Sequence, residues 1–196
     1  MPTTLLAIGD IHLGRVPTRL QPAGLDPHAH SPAAAWRQAV DLAIDRHVDA
    51  VLLAGDVVDD DSDRFEAYGL LERGVRRLAD AGIATYGVAG NHDGVVLPRL
   101  ADRIPAFHLV GRGARWERIA LPGEGAVELL GWSFPGRHHR ADPLDADGLA
   151  AALDGCRPGA ARIALLHGDL DVAQSSYAPL RRARLEALAV DACLLG

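Results

Sequence analysis

Ala50-Val51-Leu52-Leu53-Ala54-Gly55-Asp56-Val57-Val58-Asp59 opens with five apolar residues, unbroken by polar alternation, and then stops on Gly-Asp. A run of that length and texture is a strand covered on both faces. The same unit recurs along the chain. Thr4-Leu5-Leu6-Ala7-Ile8 precedes Gly9-Asp10-Ile11-His12, and Ala84-Thr85-Tyr86-Gly87-Val88-Ala89 precedes Gly90-Asn91-His92-Asp93. Arg162-Ile163-Ala164-Leu165-Leu166 precedes His167-Gly168-Asp169. Helical stripes separate the first three units. Trp36, Val40, Ala43 or Ile44 and His47 share one face over 33–46, and Phe65, Tyr68, Leu71, Val75 and Leu78 share one over 64–81. Ser62 or Asp63 is placed to cap the second helix and Gly82 to end it. Strand, helix, strand, helix, strand predicts an α/β fold with a parallel, doubly wound sheet and right-handed crossovers.

Beyond residue 114 the pattern changes. Arg115–Leu121 and Ala126–Phe134 flank Pro122-Gly123-Glu124-Gly125, which predicts an antiparallel hairpin. A Gly-, Pro- and charge-rich stretch over 135–143 separates it from a short helix around Leu149–Leu153. A further helix is expected near Leu180–Leu188, followed by a fifth strand from Ala189 onward.

Composition narrows the function. The chain has 196 residues, 48% hydrophobic and 23% charged, which fits one globular domain and excludes a disordered or collagen-like chain. No apolar run reaches the length of a membrane span. Met1-Pro2-Thr3-Thr4 carries no signal-peptide pattern, so the expected compartment is the cytoplasm. Cys156 and Cys193, too few for a disulfide framework, fit a reducing environment. All 20 basic residues are arginine, which excludes a Schiff-base lysine, a P-loop lysine and a Ser-Lys dyad. The net charge of −6 argues against a surface that grips nucleic acid all over, and leaves room for a local basic groove or for cations bound among carboxylates.

In open α/β sheets the working crevice lies beyond the carboxyl ends of the strands. Here those ends deliver Asp10 with His12, then Asp56, Asn91 with His92, and His167. Residues two apart on an extended segment point the same way, so Asp10 and His12 can grip one ion together. Carboxylate, imidazole and amide oxygen suit Mn²⁺, Fe²⁺ or Zn²⁺, and the absence of thiolates argues against a structural zinc site. So many acceptors at one place repel unless cations sit among them, which predicts two metals.

The ordered set Asp10-x-His12, Gly55-Asp56-x-x-Asp59, Gly90-Asn91-His92-Asp93 and His167 resembles the calcineurin-like metallophosphoesterase superfamily. Within it, Gly131-Trp132-Ser133-Phe134-Pro135, Leu165–Asp169 and Tyr177-Ala178-Pro179 resemble the SbcD-like DNA repair exonuclease branch. The resemblance implies a β-sandwich flanked by helices, in α/β/β/α layers, over a single domain spanning 1–196. It implies that Asp10 and His12 hold one divalent metal, that Asn91 and His167 hold the other, and that Asp56 bridges them. Mn²⁺ is the first expectation, with Fe²⁺, Zn²⁺ or Mg²⁺ as alternatives. It also implies that His92 protonates the leaving oxygen or steadies the phosphoryl group, that Asp93 orients its imidazole, and that Asp59 braces the metal loop. In the family, the strand resembling Asp191–Gly196 leads into a GHxH motif whose histidines complete both sites. This sequence stops at the Gly, so the expectation is a C-terminally truncated domain without those ligands. The expected activity is metal-dependent phosphodiester hydrolysis on DNA, by exonuclease or endonuclease action, with an SMC-like ATPase as a possible partner and no membrane association. Two alternatives stand beside it: a small-molecule (nucleotide or sugar) phosphoesterase, and a non-catalytic metal-binding fragment.

Other features have plainer readings. Asp59-Asp60-Asp61 with Asp63 reads as a solvated loop and helix cap, and Arg137-His138-His139-Arg140 as an exposed loop rather than a phosphate groove. Tyr177, Arg181, Arg182 and Arg184 are the candidate nucleic-acid contacts, against the common fate of helix-surface arginines as solvated charge.

Overall fold

Residue Ala50 begins a strand with no exposed position, because layers cover it on both sides. The computed structural model describes residues 2–15, 26, 29–59, 64–172 and 174–196. Ser62, Asp63 and the Asp60-Asp61 pair lie outside the described residues, as does the side chain of Phe65. The elements run β1 (Leu5–Ile8), α1 (Pro32–Asp45), β2 (Ala50–Ala54), α2 (Arg64–Asp80), β3 (Ala84–Val88), α3 (Leu97–Ala101) and β4 (Phe107–Leu109). They continue with β5 (Glu117–Ala120), β6 (Val127–Gly131), α4 (Leu149–Asp154), β7 (Ala161–Leu166), α5 (Arg182–Glu186) and β8 (Ala192–Leu195).

Two four-stranded sheets result, in the orders β1-β2-β3-β4 and β5-β6-β7-β8. The first is wholly parallel. In the second, β5 and β6 form the expected antiparallel hairpin, while β6, β7 and β8 run parallel. The doubly wound expectation is corrected here. A strand order that never reverses sends every right-handed crossover to the same side, so the helices cover one face only. Alternation along β2 shows where the other face goes. Val51 and Leu53 join Trp36, Val40, Leu71, Val75 and Leu78 in a helix-side core. Ala50, Leu52 and Ala54 join Tyr86, Val88, Leu129 and Leu165 between the sheets. Leu130, Ala164 and Leu166 turn outward onto Ala152 of α4 and onto Trp132 and Phe134. The layers are therefore α/β/β/α, as the resemblance implied.

Local chemistry fixes the ends. Ser31 caps α1, its Oγ accepting from the Ala34 N–H at 3.2 Å, with Pro32 at the first helical position. The final helix is shorter than its sequence pattern, because Leu180 is buried in the outer core before the helix begins at Arg182.

One buried charge ties the second sheet together. Glu128 on β6 has no exposed surface, and its carboxylate accepts from Arg118 Nη1 at 2.8 Å and Arg157 Nε at 2.6 Å. Burial alone would raise its pKa; the two guanidinium bonds outweigh that and hold it below the ordinary 4.5. The clamp's contribution to stability is thus present above about pH 4.5 and fades as pH falls through the depressed value. Glu128→Ala is expected to cost about 1–3 kcal/mol at pH 7, less than a fully enclosed pair because both arginines reach solvent. Urea unfolding at pH 7 and pH 3.5 checks this: the gap between variant and parent should narrow in acid.

Candidate metal centre

The loops after β1, β2, β3 and β7 meet at one end of the sandwich. Asp10, His12 and Asp56 all lie in the left-handed region, at φ 51°, 50° and 47°, which non-glycine residues seldom adopt. This corrects the expectation that Asp10 and His12 share a face of an extended segment: β1 ends at Ile8, and the pair converges by two left-handed turns instead. The surroundings enforce the turns. His12 N–H donates to the Asp56 carbonyl at 2.9 Å, Leu13 N–H to the Val57 carbonyl at 2.9 Å, and Asp59 N–H back to the Leu13 carbonyl at 3.0 Å. Strained backbone held this firmly is characteristic of working sites. Two glycines make the approach possible. A Cβ on Gly55, itself at φ 80°, would collide with the His167 ring, and one on Gly90 would collide with Asp56 Oδ1.

The donor atoms gather around Asp56, which is only 3% exposed. Its Oδ2 lies 3.7 Å from His12 Nε2 and 3.5 Å from His167 Nε2, and His12 Nε2 lies 3.9 Å from Asp10 Oδ1. These gaps are too long for hydrogen bonds. They approach the roughly 3–3.5 Å that separates two ligands held about 2.1 Å from a common ion. The histidine tautomer gives a sharper test. His167 Nδ1 faces the Ala54 carbonyl at 3.3 Å, while its Nε2 faces Asn91 Oδ1 at 3.0 Å and Asp56 Oδ2 at 3.5 Å, and all three oxygens can only accept. An imidazole with a single N–H cannot serve acceptors on both sides, so one of its nitrogens points a lone pair at an oxygen. A cation among them turns this repulsion into ligation, and a carbonyl on the far nitrogen is the usual support for a metal-binding histidine. His12 Nδ1 is buried with no hydrogen-bond partner among the described residues, and burial leads the lowering of its pKa, which favours the neutral, ligating ring. The donor set therefore fits divalent cations.

The structure exchanges the roles expected of two aspartates. Asp59, expected to brace the loop, places Oδ1 3.0 Å from His92 Nδ1, and Arg15 Nε approaches its Oδ2 at 3.8 Å. Asp93, expected to orient His92, is fully buried and cannot do so. Its carboxylate accepts from Val57 N–H at 2.7 Å, Val58 N–H at 3.2 Å and Gly90 N–H at 2.7 Å, so it staples the β2 loop to the β3 loop. Burial first, and then the charge of Asp56, pushes its pKa up to about 7 against those three bonds. Asp56 Oδ1 accepts from the His92 backbone N–H at 2.9 Å, which sets His92 beside the cluster, its ring 4.9 Å from that of His12.

The four candidate nucleic-acid residues line different pockets. Tyr177 stands at the mouth of the centre, lining a small pocket with Asn91 and His92. Arg181 and Arg184 line a separate groove of about 710 Å³. Arg184 is engaged by Asp142 at 2.6 Å and Asp145 at 2.7 Å, and Arg182 by Asp171 through both its backbone and its guanidinium. Sequence reading gave Ser133 no role, yet it fixes the β3 loop from below. Its Oγ accepts from Ala89 N–H at 2.9 Å and donates to the Val110 carbonyl at 2.6 Å. A lone hydroxyl between Trp132 and Phe134 was the available signal.

Comparison with known proteins places this geometry. A 63-residue stretch is 40% identical to the uncharacterized metallophosphoesterase YhaO of Bacillus subtilis, covering 32% of this chain and 15% of that protein. A 91-residue stretch is 33% identical to the DNA double-strand break repair protein Mre11 of Sulfurisphaera tokodaii, covering 46% of this chain and 22% of that protein. The matched regions thus span less than a quarter of either relative. The fold is similar to the crystal structure of TT1561 of Thermus thermophilus, with a TM-score of 0.56 and 16% identity over the whole of this chain and 81% of the other. The profile of the calcineurin-like phosphoesterases matches residues 3–190, and on that extent the chain belongs to the calcineurin-like phosphoesterase family.

Proposed function

We propose that the protein is a metal-dependent phosphodiesterase that hydrolyses DNA. The observation that carries this reading is the convergence of His12 and His167 on the single buried carboxylate of Asp56. In this reading Asp10, His12 and Asp56 would hold one divalent cation, and Asn91, His167 and Asp56 would hold a second. When bound, such ions offset phosphoryl charge and make water a stronger acid at neutral pH. The chain's own residues supply the rest. Asp59 accepts from His92 Nδ1–H, fixing the ring so that Nε2 is the atom that gives a proton to the departing oxygen. Asp93 keeps the two loops, and hence the spacing of Asp56, Asn91 and His92, rigid. The partial likeness to Mre11 supports DNA as substrate, and the SbcD-like motifs support an SMC-like ATPase as partner.

The test is cleavage of a single-stranded oligonucleotide by the full-length protein with and without Mn²⁺, beside nucleotide and sugar monophosphates. Mn²⁺-dependent cleavage abolished by a chelator is expected. Turnover of the monophosphates without DNA cleavage would move the function to a small-molecule phosphoesterase. At most one bound metal, with no hydrolysis of an activated phosphodiester, would make the domain a non-catalytic metal binder.

A further inference from the structure

We propose that His138, stacked on Tyr177, is a specificity-determining residue: the pair forms an aromatic platform whose open outer face takes one unpaired nucleobase beside His92. This rests on the phosphodiesterase reading of the same site and adds to it the part of the substrate recognised. The sequence marks Arg137-His138-His139-Arg140 as an exposed loop, but the fold gives that loop a fixed position. His139 N–H donates to the Ser176 carbonyl at 2.9 Å, and Ala178 N–H donates to the His139 carbonyl at 2.6 Å, so the loop and the segment 176–178 form a short parallel bridge. The His139 ring packs inward, 5.0 Å from Trp132 and 6.4 Å from Phe134, and Phe134 in turn lies 5.8 Å from His167. The loop is thereby keyed through a buried aromatic chain to a candidate metal ligand.

On its outer side the bridge holds His138 against Tyr177, ring centroids 5.5 Å apart and planes 24° from parallel. Both rings are exposed, and Tyr177, at 38%, is one of four large apolar side chains so placed among the described residues. Together with Arg137, Asn91 and His92 they line an open pocket of about 140 Å³. A base inside a duplex has both faces covered by its neighbours, so a base that stacks on this pair comes from an unpaired strand or a frayed end. Stacking on an aromatic platform accepts any base, because each presents a π-face. His92 borders the same pocket, on the side where the adjoining phosphate would lie while the ring pair holds the base.

The probes are deoxyadenosine 5′-monophosphate and 2-deoxyribose 5-phosphate, titrated by NMR into the full chain with Mg²⁺. The nucleotide is expected to bind at least about fivefold more tightly, with its base protons shifted upfield by the rings. His138→Ala should bring the two affinities within about twofold, and His138→Phe, which preserves the flat face, should restore the gap. Equal affinities in the parent protein would overturn the proposal. So would a gap unchanged in a His138→Ala protein that retains the parent's thermal melt. Failure of the catalytic reading looks different: no Mn²⁺-dependent cleavage with the affinity gap intact. Cleavage without a gap removes the platform alone.

Discussion

His92→Ala is expected to lower phosphodiester hydrolysis by about 10²–10⁴-fold, the usual contribution of a placed general acid, while metal content stays at the parent's level. The reasoning is positional. His92 touches the cluster through its backbone, where Asp56 Oδ1 accepts its N–H, and its ring nitrogen is turned to Asp59 rather than to Asp10 or Asp56. Losing the ring removes a proton donor without removing a member of the donor set around Asp56. Asp59→Ala should lower the same rate by a smaller factor, because the ring remains but loses the partner that sets its tautomer. Both are read by single-turnover hydrolysis beside metal analysis of the purified variants. Parallel loss of metal and rate in His92→Ala would contradict the assignment.

Asp93→Ala should act on folding. It leaves three backbone N–H groups of two buried loops without an acceptor, at about 1–3 kcal/mol for each group left unmet, and partial relaxation brings the expected total to about 3–5 kcal/mol. Asp59 is partly exposed and bonded to a side chain, so Asp59→Ala should fall within about 1 kcal/mol of the parent. Urea denaturation of the two variants separates a loop staple from a ring partner. A larger loss in Asp59→Ala would reverse the roles read from the structure.

The strands of the site were legible because each is an unbroken apolar run ended by Gly and a polar residue. That signal depends on burial on both faces, which the layered sandwich enforces along β2, over all but the first residue of β3 and in the second half of β7. The sheet that each strand joins was not legible. β3 and β7 look alike in sequence, yet one pairs with β2 and the other with β6, a choice made by long-range packing of Leu129 and Leu165 against Leu52. β4 escaped notice because three residues, one of them the exposed His108, carry too little pattern. Within the site, the set Asp10, His12, Asp56, Asn91 and His167 was readable as strand-end residues, and the structure brings them together. The neighbours of His92 were not readable. Adjacency in sequence favoured Asp93, but the turn after Asn91 drives that side chain inward to the β2 loop, and the carboxylate that reaches the ring comes from Asp59, 33 residues earlier. The ion-pair partners of Arg182 and Arg184 were not readable either, because Asp171, Asp142 and Asp145 lie 11 to 42 residues away.

Anomalous scattering from crystals grown with Mn²⁺ addresses the metal centre most directly. Two peaks about 3.5–4 Å apart, on either side of the Asp56 carboxylate and contacted by Asp10, His12, Asn91 and His167, are the expected result. Density for Mn²⁺ elsewhere on the surface, with none between Asp56 and the two histidines, would contradict it.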